Sequence, residues 1–385
     1  MEIKSVRVRK LYIPFKITFK HSLAEHSDVE SIILEIETKK GHIGHGEAIP
    51  RVYVTGESVE SVFNHLKNNI APKLLGMFFD TPSELIHWLN SFNEHFPSLS
   101  EKDLCVRTAV DLSLLDAMGK EVGENVASFF GGIKRKKPMY SAILSADTPK
   151  KIERILKRYR FLMLRQAKLK VGQDHKCDLS NLKLIRKFLG KNAQVRVDAN
   201  ALWDLETAKS RLSDFAELGV ISVEQPMPVA LKEDYPKLVE FLKGKMHISI
   251  DESLCSYEDG KWMIENRGCT IFNLRVSKNG GITNTLRLYH LALQGGIKCQ
   301  LGAQVGETSI LSSAGRLIAG ITGDLLFHEG SFGTHLLKKD ITNKPLMFGI
   351  GGKGATKKLT KKVGLGIKVN QKTLDKFTQE SYLIY

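Results

Sequence analysis

The sequence predicts an α/β protein in which an α+β amino-terminal part precedes a (β/α) barrel. Three observations carry this. Residues 31–47 read as a β-hairpin, and helical periodicity follows it. Beyond Pro138, short apolar runs alternate with amphipathic segments. The polar ends of those runs recur about every 25–30 residues, the step of a strand–helix unit in a barrel.

The amino-terminal elements come first. Ser31-Ile32-Ile33-Leu34-Glu35-Ile36-Glu37-Thr38 alternates in part and is rich in isoleucine, so it reads as a strand. Lys39-Lys40-Gly41 is a turn signal, and residues 42–47 run back as the partner strand, with His42 and His45 as ordinary strand residues. Val59, Val62, Leu66 and Ile70 recur at three or four, and Leu104, Ala109, Leu112 and Leu115 follow a similar rhythm, which places two helices.

Within the repeat, Ala167-Lys168-Leu169-Lys170-Val171 is strand-like. A helix fits residues 179–189, with Leu182, Ile185 and Leu189 on its apolar face and Gly190 as its stop. Residues 195–198 form the next strand. Asp204 caps a helix whose apolar face is Leu205, Ala208, Leu212 and Phe215, and Gly219 ends it. Strands follow at 220–224, 247–251, 271–276, 298–301 and 325–329, with a helix at 283–294. A doubly wound open sheet is the structural alternative, but it wants a glycine-rich phosphate loop after its first strand. The glycine-rich Gly349-Ile350-Gly351-Gly352 comes far too late for that.

Length and composition agree. The chain has 385 residues, 42% hydrophobic and 26% charged, which admits a sizeable core and excludes disordered, collagen-like, coiled-coil and low-complexity classes. Lys and Arg number 57 against 42 Asp and Glu, a formal charge of +15. That excess suits an anionic partner, and the simpler reading is a lysine-rich surface. The tight basic runs are Lys134-Arg135-Lys136-Lys137 and the pairs Lys357-Lys358 and Lys361-Lys362; without interleaved aromatics they disfavour nucleic acid. Cys105, Cys177, Cys255, Cys269 and Cys299 are odd in number and widely spaced, against a disulfide framework or structural zinc. Met1-Glu2-Ile3-Lys4 lacks the apolar core of a signal peptide. No stretch approaches the ~20 apolar residues of a membrane span. The expectation is a reduced, soluble, cytoplasmic protein without a membrane partner.

The strand ends carry the chemistry. Lys168 and Lys170 alternate onto one side of their strand. Asp198, Glu224 and Asp251 end the next three, at steps of 28, 26 and 27 residues from Lys170 onward. In a barrel these ends converge on one mouth. Three like charges gather there only around a cation. Oxygen-only ligands suit a hard ion, Mg²⁺ before Mn²⁺ or Ca²⁺. Singly, each acid reads as a helix cap or loop residue. Three in register behind a Lys-x-Lys read as a site.

The series Lys168-Leu169-Lys170, Val197-Asp198-Ala199-Asn200, Val223-Glu224-Gln225-Pro226 and Ile250-Asp251-Glu252-Ser253 resembles the enolase superfamily, in its muconate-lactonizing-enzyme (mandelate racemase/muconate cycloisomerase) subgroup. The resemblance covers most of the chain. Gly46-Glu47 and the segment from Pro50 to Glu57 look like its capping segment, and Gly364-Leu365-Gly366-Ile367 looks like its carboxy-terminal return strand. It implies a (β/α)7β modified TIM barrel with an α+β capping domain formed by the amino-terminal part and the carboxy-terminal tail. The expected boundaries are 1–132 for the cap, 133–345 for the barrel and 346–385 for the returning segment. It also implies Mg²⁺-dependent abstraction of the proton α to a substrate carboxylate, through a metal-stabilised enediolate. Asp198, Glu224 and Asp251 would hold the ion, backed by Asn200. Lys170 would be the general base. Lys168 would lower its pKa and touch the carboxylate of a small substrate. A homo-oligomer is implied as well.

The sixth strand departs from the pattern. Phe272-Asn273-Leu274-Arg275-Val276-Ser277-Lys278-Asn279-Gly280-Gly281 resembles Asn-Ile-Lys-Leu-x-Lys-x-Gly-Gly, which puts Arg275 where many members carry a catalytic lysine. Lys278 matches the later lysine. On a continuing strand it faces the other side, and a turn at Asn279-Gly280 could bring it back. Arginine stays protonated, so Arg275 is a poor base, although it can stabilise an enediolate. Racemases and epimerases need two bases, so Arg275 favours one-base chemistry: cycloisomerisation, or syn elimination of the o-succinylbenzoate-synthase type. The alternatives are a racemase or epimerase of N-acyl amino acids or dipeptides, and a non-catalytic homologue binding anionic partners. Dipeptide epimerases of the subgroup present Asp-x-Asp after the eighth strand, where this chain offers Glu329 alone. Glu329, Gln304, Glu307, Arg51 and Tyr53 are candidate substrate contacts. His21 and His26, near Phe19, are candidates to line the specificity pocket.

Overall fold

The computed structural model describes residues 1–385 apart from Ser22, Leu23 and Gln173, and describes residues 17–26, Lys357 and Lys358 without their side chains. The proposed lining residues Phe19, His21 and His26 and the pair Lys357-Lys358 thus fall outside the described side chains.

Among the described residues, eleven strands form two sheets: β1 (Ile3–His21), β2 (Ala24–Thr38), β3 (Ile43–Ala48), β4 (Ala142–Leu144), β5 (Gln166–Lys170), β6 (Gln194–Asp198), β7 (Val220–Glu224), β8 (His247–Ile250), β9 (Ile271–Leu274), β10 (Lys298–Leu301) and β11 (Thr378–Ile384). The cap sheet is antiparallel in the order β11-β1-β2-β3. In β1, buried Leu11, Ile13 and Phe15 flank the exposed Tyr12, the alternation of a half-buried strand. β1 escapes the sequence reading because its alternation changes phase: Val6 and Val8 are buried up to Lys10, and Leu11, Ile13 and Phe15 beyond it, with a register shift against β11 at Lys10/Leu11. The return strand also lies elsewhere than expected. It is β11, paired with β1, whereas Gly364 and Gly366 take φ of 62° and 78°, turn conformations that no strand adopts.

The second sheet is parallel in the order β10-β9-β8-β7-β6-β5-β4. Residues 325–329 close it as an eighth strand reduced to single bridges: Leu301 N donates to Phe327 O at 2.9 Å, and Ser141 N donates to His328 O at 2.8 Å. This is the (β/α)7β barrel. Its helices start where their caps dictate. Asp174 accepts from Cys177 N to start the helix His175–Leu189, and Asp204 accepts from Thr207 N to start Leu205–Glu217. In the barrel sheet β4, three residues long, shows no readable period.

One helix joins cap to barrel. Leu104–Val122 is buried on every side over most of its length. It packs against β3 at Gly44 and Gly46, where any Cβ would strike the carbonyls of Ser113 and Ala109. From this helix Asp111 accepts from Ile282 N at 2.6 Å and Thr283 N at 3.2 Å, at the start of the barrel helix Gly281–Gln294. From β3, Glu47 accepts from Thr308 N at 3.1 Å and Leu311 N at 3.1 Å, at the start of Ser309–Thr322. Cap carboxyl groups thus satisfy the orphan donors of two barrel helices. No helix among the described residues is long and apolar enough to cross a membrane.

Asp116 ties three segments together. It accepts from His45 N at 2.9 Å, Leu365 N at 2.8 Å and Lys120 Nζ at 2.6 Å. Burial opposes its charge, yet Lys120 and His45 hold its pKa at about 2. Asp116→Ala leaves two amides without an acceptor and the Lys120 ammonium, which also donates to Ile43 O, without its carboxylate, and is expected to cost about 3 kcal/mol in urea unfolding at pH 7. Because the folded pKa is below the unfolded value, that stabilisation is full above pH ~4 and lost as the pH falls through about 2. The difference between wild type and variant is expected to shrink over that window.

Candidate active site

Strand register builds the site. β5 pairs with β6 so that Lys170 sits beside Asp198, and β6 pairs with β7 so that Asp198 sits beside Glu224. Asp251 follows the last residue of β8. The three acids are 1%, 2% and 0% exposed, so their charges must be answered locally.

Cations of the chain fill the gaps between them. Lys168 Nζ lies 2.9 Å from Glu224 Oε1 and 3.5 Å from Asp198 Oδ2. The Arg275 guanidinium contacts Asp251 Oδ2 and lies 3.8 Å from Glu224 Oε1. Lys170 Nζ donates to Asp198 Oδ2 at 3.0 Å and to Asn200 Oδ1 at 2.8 Å. Burial works against the Asp198 charge, but Lys170 and Lys168 hold its carboxyl well below the usual range. Burial likewise disfavours the Lys168 ammonium, and Glu224, Glu329 and Asp198 outweigh it, so Lys168 stays protonated.

Among the described residues, no three acidic, cysteine or histidine groups stand together as a ready metal-ligand cluster. The donors nonetheless fit a hard divalent ion. They are oxygens only; Glu252 Oε2 is buried without a hydrogen-bond partner, and Asp251 Oδ1 accepts no hydrogen bond although the Lys278 ammonium lies 3.2 Å away. Asp198, Glu224 and Asp251 would hold the ion at the expense of the ammonium and guanidinium contacts that neutralise them.

A cavity of about 550 Å³ opens at this point, lined by Lys168, Lys170, Asp198, Asn200, Glu252 and Arg275. Tyr53, Gln304, Glu307 and Glu329 also line it. Gln304 Oε1 accepts from Arg275 Nη1 at 3.0 Å. Glu307 accepts from Gln304 N at 2.8 Å, and burial pushes its pKa up to about 8. Glu329 is paired with Lys168 at 2.7 Å and with Arg196 at 2.8 Å. Arg51 is not among the lining residues; it donates to Pro50 O and Val305 O, both at 3.3 Å. Lys278 does not line the cavity either. Its buried Nζ donates to the carbonyls of Asp251 at 2.6 Å, Leu254 at 2.9 Å and Asn273 at 3.3 Å, and lies 3.2 Å from Asp251 Oδ1. Those carbonyls take up all three ammonium hydrogens. Arg275, not Lys278, faces the cavity.

Sequence reasoning misses three functional neighbours. Arg196 donates to Glu329 at 2.8 Å and Gln300 at 3.1 Å, and lies 4.3 Å from the Phe327 ring centre. Gln300 Nε2 donates to Glu224 Oε2 at 2.7 Å. Glu252 has its pKa raised to about 7 by desolvation and by Asp198. The signal for Arg196 is its place two residues before Asp198, hence on the same strand face.

Two family models match the chain: "Enolase C-terminal domain-like" over residues 149–373, and "Mandelate racemase / muconate lactonizing enzyme, N-terminal domain" over residues 2–131. The chain is 28% identical to the N-succinyl-L-Arg/Lys racemase of Bacillus cereus over 385 residues, 98% of each chain. It is 26% identical to muconate cycloisomerase 1 of Pseudomonas putida, over 93% of this chain and 94% of that one. In structure it is similar to a dipeptide epimerase from Cytophaga hutchinsonii complexed with Mg and the dipeptide D-Ala-L-Val, at 25% identity, 100% coverage of each chain and a TM-score of 0.87.

Asp198→Asn, Glu224→Gln and Asp251→Asn are each expected to weaken Mg²⁺ binding by about a hundredfold or more, measured by calorimetry on variants with an unchanged circular dichroism spectrum. Arg275→Ala releases Asp251 from its guanidinium, so the opposite sign, tighter Mg²⁺ binding, is expected from it.

Proposed function

We propose, from the premise that this chain belongs to the mandelate racemase/muconate lactonizing enzyme family of the enolase superfamily, that it removes the proton α to a carboxylate with a single amine base and a Mg²⁺ cofactor. Membership makes it an enzyme, not a non-catalytic binding homologue. One observation carries the one-base reading: Lys170 faces the cavity with Arg275, while Lys278 is tied to backbone carbonyls beneath Asp251.

In this mechanism Lys170 Nζ takes the α-proton, and its contacts with Asp198 and Asn200 aim it. Lys168, held protonated, meets the substrate carboxylate. Arg275 supplies a fixed positive charge against the developing anion and returns no proton, because a guanidinium does not deprotonate near neutrality. When bound to Asp198, Glu224 and Asp251, the divalent ion supplies further positive charge against the anion. The outcome is a cycloisomerisation or a syn elimination, in which one base serves the whole reaction. The similarity to muconate cycloisomerase 1 supports this class.

A second reading has its own support. The Bacillus cereus relative is an N-succinyl-L-Arg/Lys racemase, and it matches over 98% of both chains. The lone Glu329 is already paired with Lys168 and Arg196, which leaves no acid after the eighth strand for a free α-ammonium. In this reading the substrate is an N-acyl amino acid, not a dipeptide.

Deuterium exchange separates the two. With an N-acyl amino acid in D₂O, the enzyme is expected to exchange the Cα hydrogen faster than it racemises. Lys170→Ala is expected to slow exchange by about 10³-fold. Arg275→Lys, which replaces the guanidinium by an amine able to act as a second base, is expected to raise racemisation relative to exchange. Racemisation as fast as exchange in the wild type would overturn the one-base reading in favour of the second.

A further inference from the structure

One wall of the cavity belongs to none of the chemistry above. The helix Pro149–Phe161 follows β4 on the outside of the barrel and carries six Lys or Arg residues against the single acid Glu153. Lys151, Arg154, Ile155, Arg158 and Tyr159 fall three and one apart, a single helical stripe, and all of them line the cavity. Outside the stripe, Lys157 pairs with Glu153 at 3.2 Å. Within it, Lys151 pairs with Asp147 at 3.2 Å. Arg154 and Arg158 have no carboxylate partner among the described residues. Arg158 Nη2 donates instead to His335 Nδ1 at 3.3 Å, and Lys16 Nζ donates to Thr334 O at 2.6 Å, which brings a cap-domain cation to the same rim.

The cavity therefore has two separate cationic regions. One is the barrel mouth, where every cation is matched by an acid. The other is this stripe, where two guanidinium groups stand unmatched beside apolar Ile155 and Phe332. A guanidinium pair of this kind is a ready carboxylate receptor. The volume of about 550 Å³ holds an extended ligand that reaches both regions.

We propose that Arg154 and Arg158 form a subsite for a second carboxylate, so that the substrate carries its reacting α-carboxylate at one end and a free carboxylate at the end of an acyl or alkyl chain. This deepens the proposed function and rests on it for the position of the reacting end.

The test compares N-succinyl-L-alanine with N-butanoyl-L-alanine, near-isosteres that differ in the terminal carboxylate. Full-length, Mg²⁺-supplemented enzyme is assayed for Cα deuterium exchange, and binding of each compound is measured by calorimetry. The wild type is expected to favour the succinyl compound by about 50-fold in kcat/KM. In the Arg154→Gln/Arg158→Gln double variant that ratio is expected to fall to near one, chiefly through KM. No preference in the wild type, or an unchanged ratio in the variant, overturns the subsite. If neither compound exchanges, calorimetry decides separately. Succinyl-selective binding that the double variant loses upholds the subsite while the one-base reading fails. Equal binding of both compounds, or none, overturns the subsite.

Discussion

Three carboxylates in a low-dielectric barrel mouth cannot remain charged without partners. The chain answers by alternation. Lys170 meets Asp198, Lys168 stands between Asp198 and Glu224, Arg275 stands between Glu224 and Asp251, and Lys278 lies beneath Asp251. Arg196 and Glu329 extend the alternation into the barrel core, and Gln300 binds the remaining oxygen of Glu224. Removing any one member strands a buried charge, which is why the cluster fixes side-chain positions as well as charge states. The polar interior of this barrel follows from the acids at its rim.

The alternation holds only if strand register and loop placement are fixed, and the cap helps fix them. Arg275 and Lys278 lie on the turn between β9 and the helix Gly281–Gln294. That turn is anchored from the cap side: Thr108 Oγ1 lies 3.2 Å from Val276 O and 3.1 Å from Ser277 O, and Ile49 N donates to Ser277 Oγ at 3.2 Å. Asp111 grips the first amides of the same helix. The cap therefore supports the site mechanically as well as covering it, through the tight packing that Gly44 and Gly46 allow.

What the sequence discloses follows the same physics. Strand ends that carry Lys168, Lys170, Asp198, Glu224 and Asp251 are legible because alternation and a steady step place them at one level. β4 is too short to show a period. Gly364-Leu365-Gly366-Ile367 resembles a strand, but its glycines take turn conformations and β11 does the pairing. The direction of Lys278 is not legible, because it depends on Asn279: its Oδ1 accepts from Arg275 N at 2.7 Å and closes the turn that sends Lys278 beneath Asp251. Arg196, Gln300 and Glu252 are hidden for another reason. Each looks ordinary alone and gains meaning from a neighbour on another strand or at the strand end.

Charge balance links this arrangement to the proposed chemistry. Around the mouth, Lys168, Arg196 and Arg275 and the base Lys170 stand among Asp198, Glu224, Asp251 and Glu329. In the proposed chemistry the α-proton passes from the substrate to Lys170, so the substrate gains one negative charge as the amine beside it gains one positive charge. Lys168 and Arg275 stay positive throughout, and a divalent ion held by the acids would add charge that is likewise in place beforehand. Positive charge fixed in position before the anion develops stabilises that anion more than it stabilises the singly charged substrate, which is the condition for catalysis by differential stabilisation.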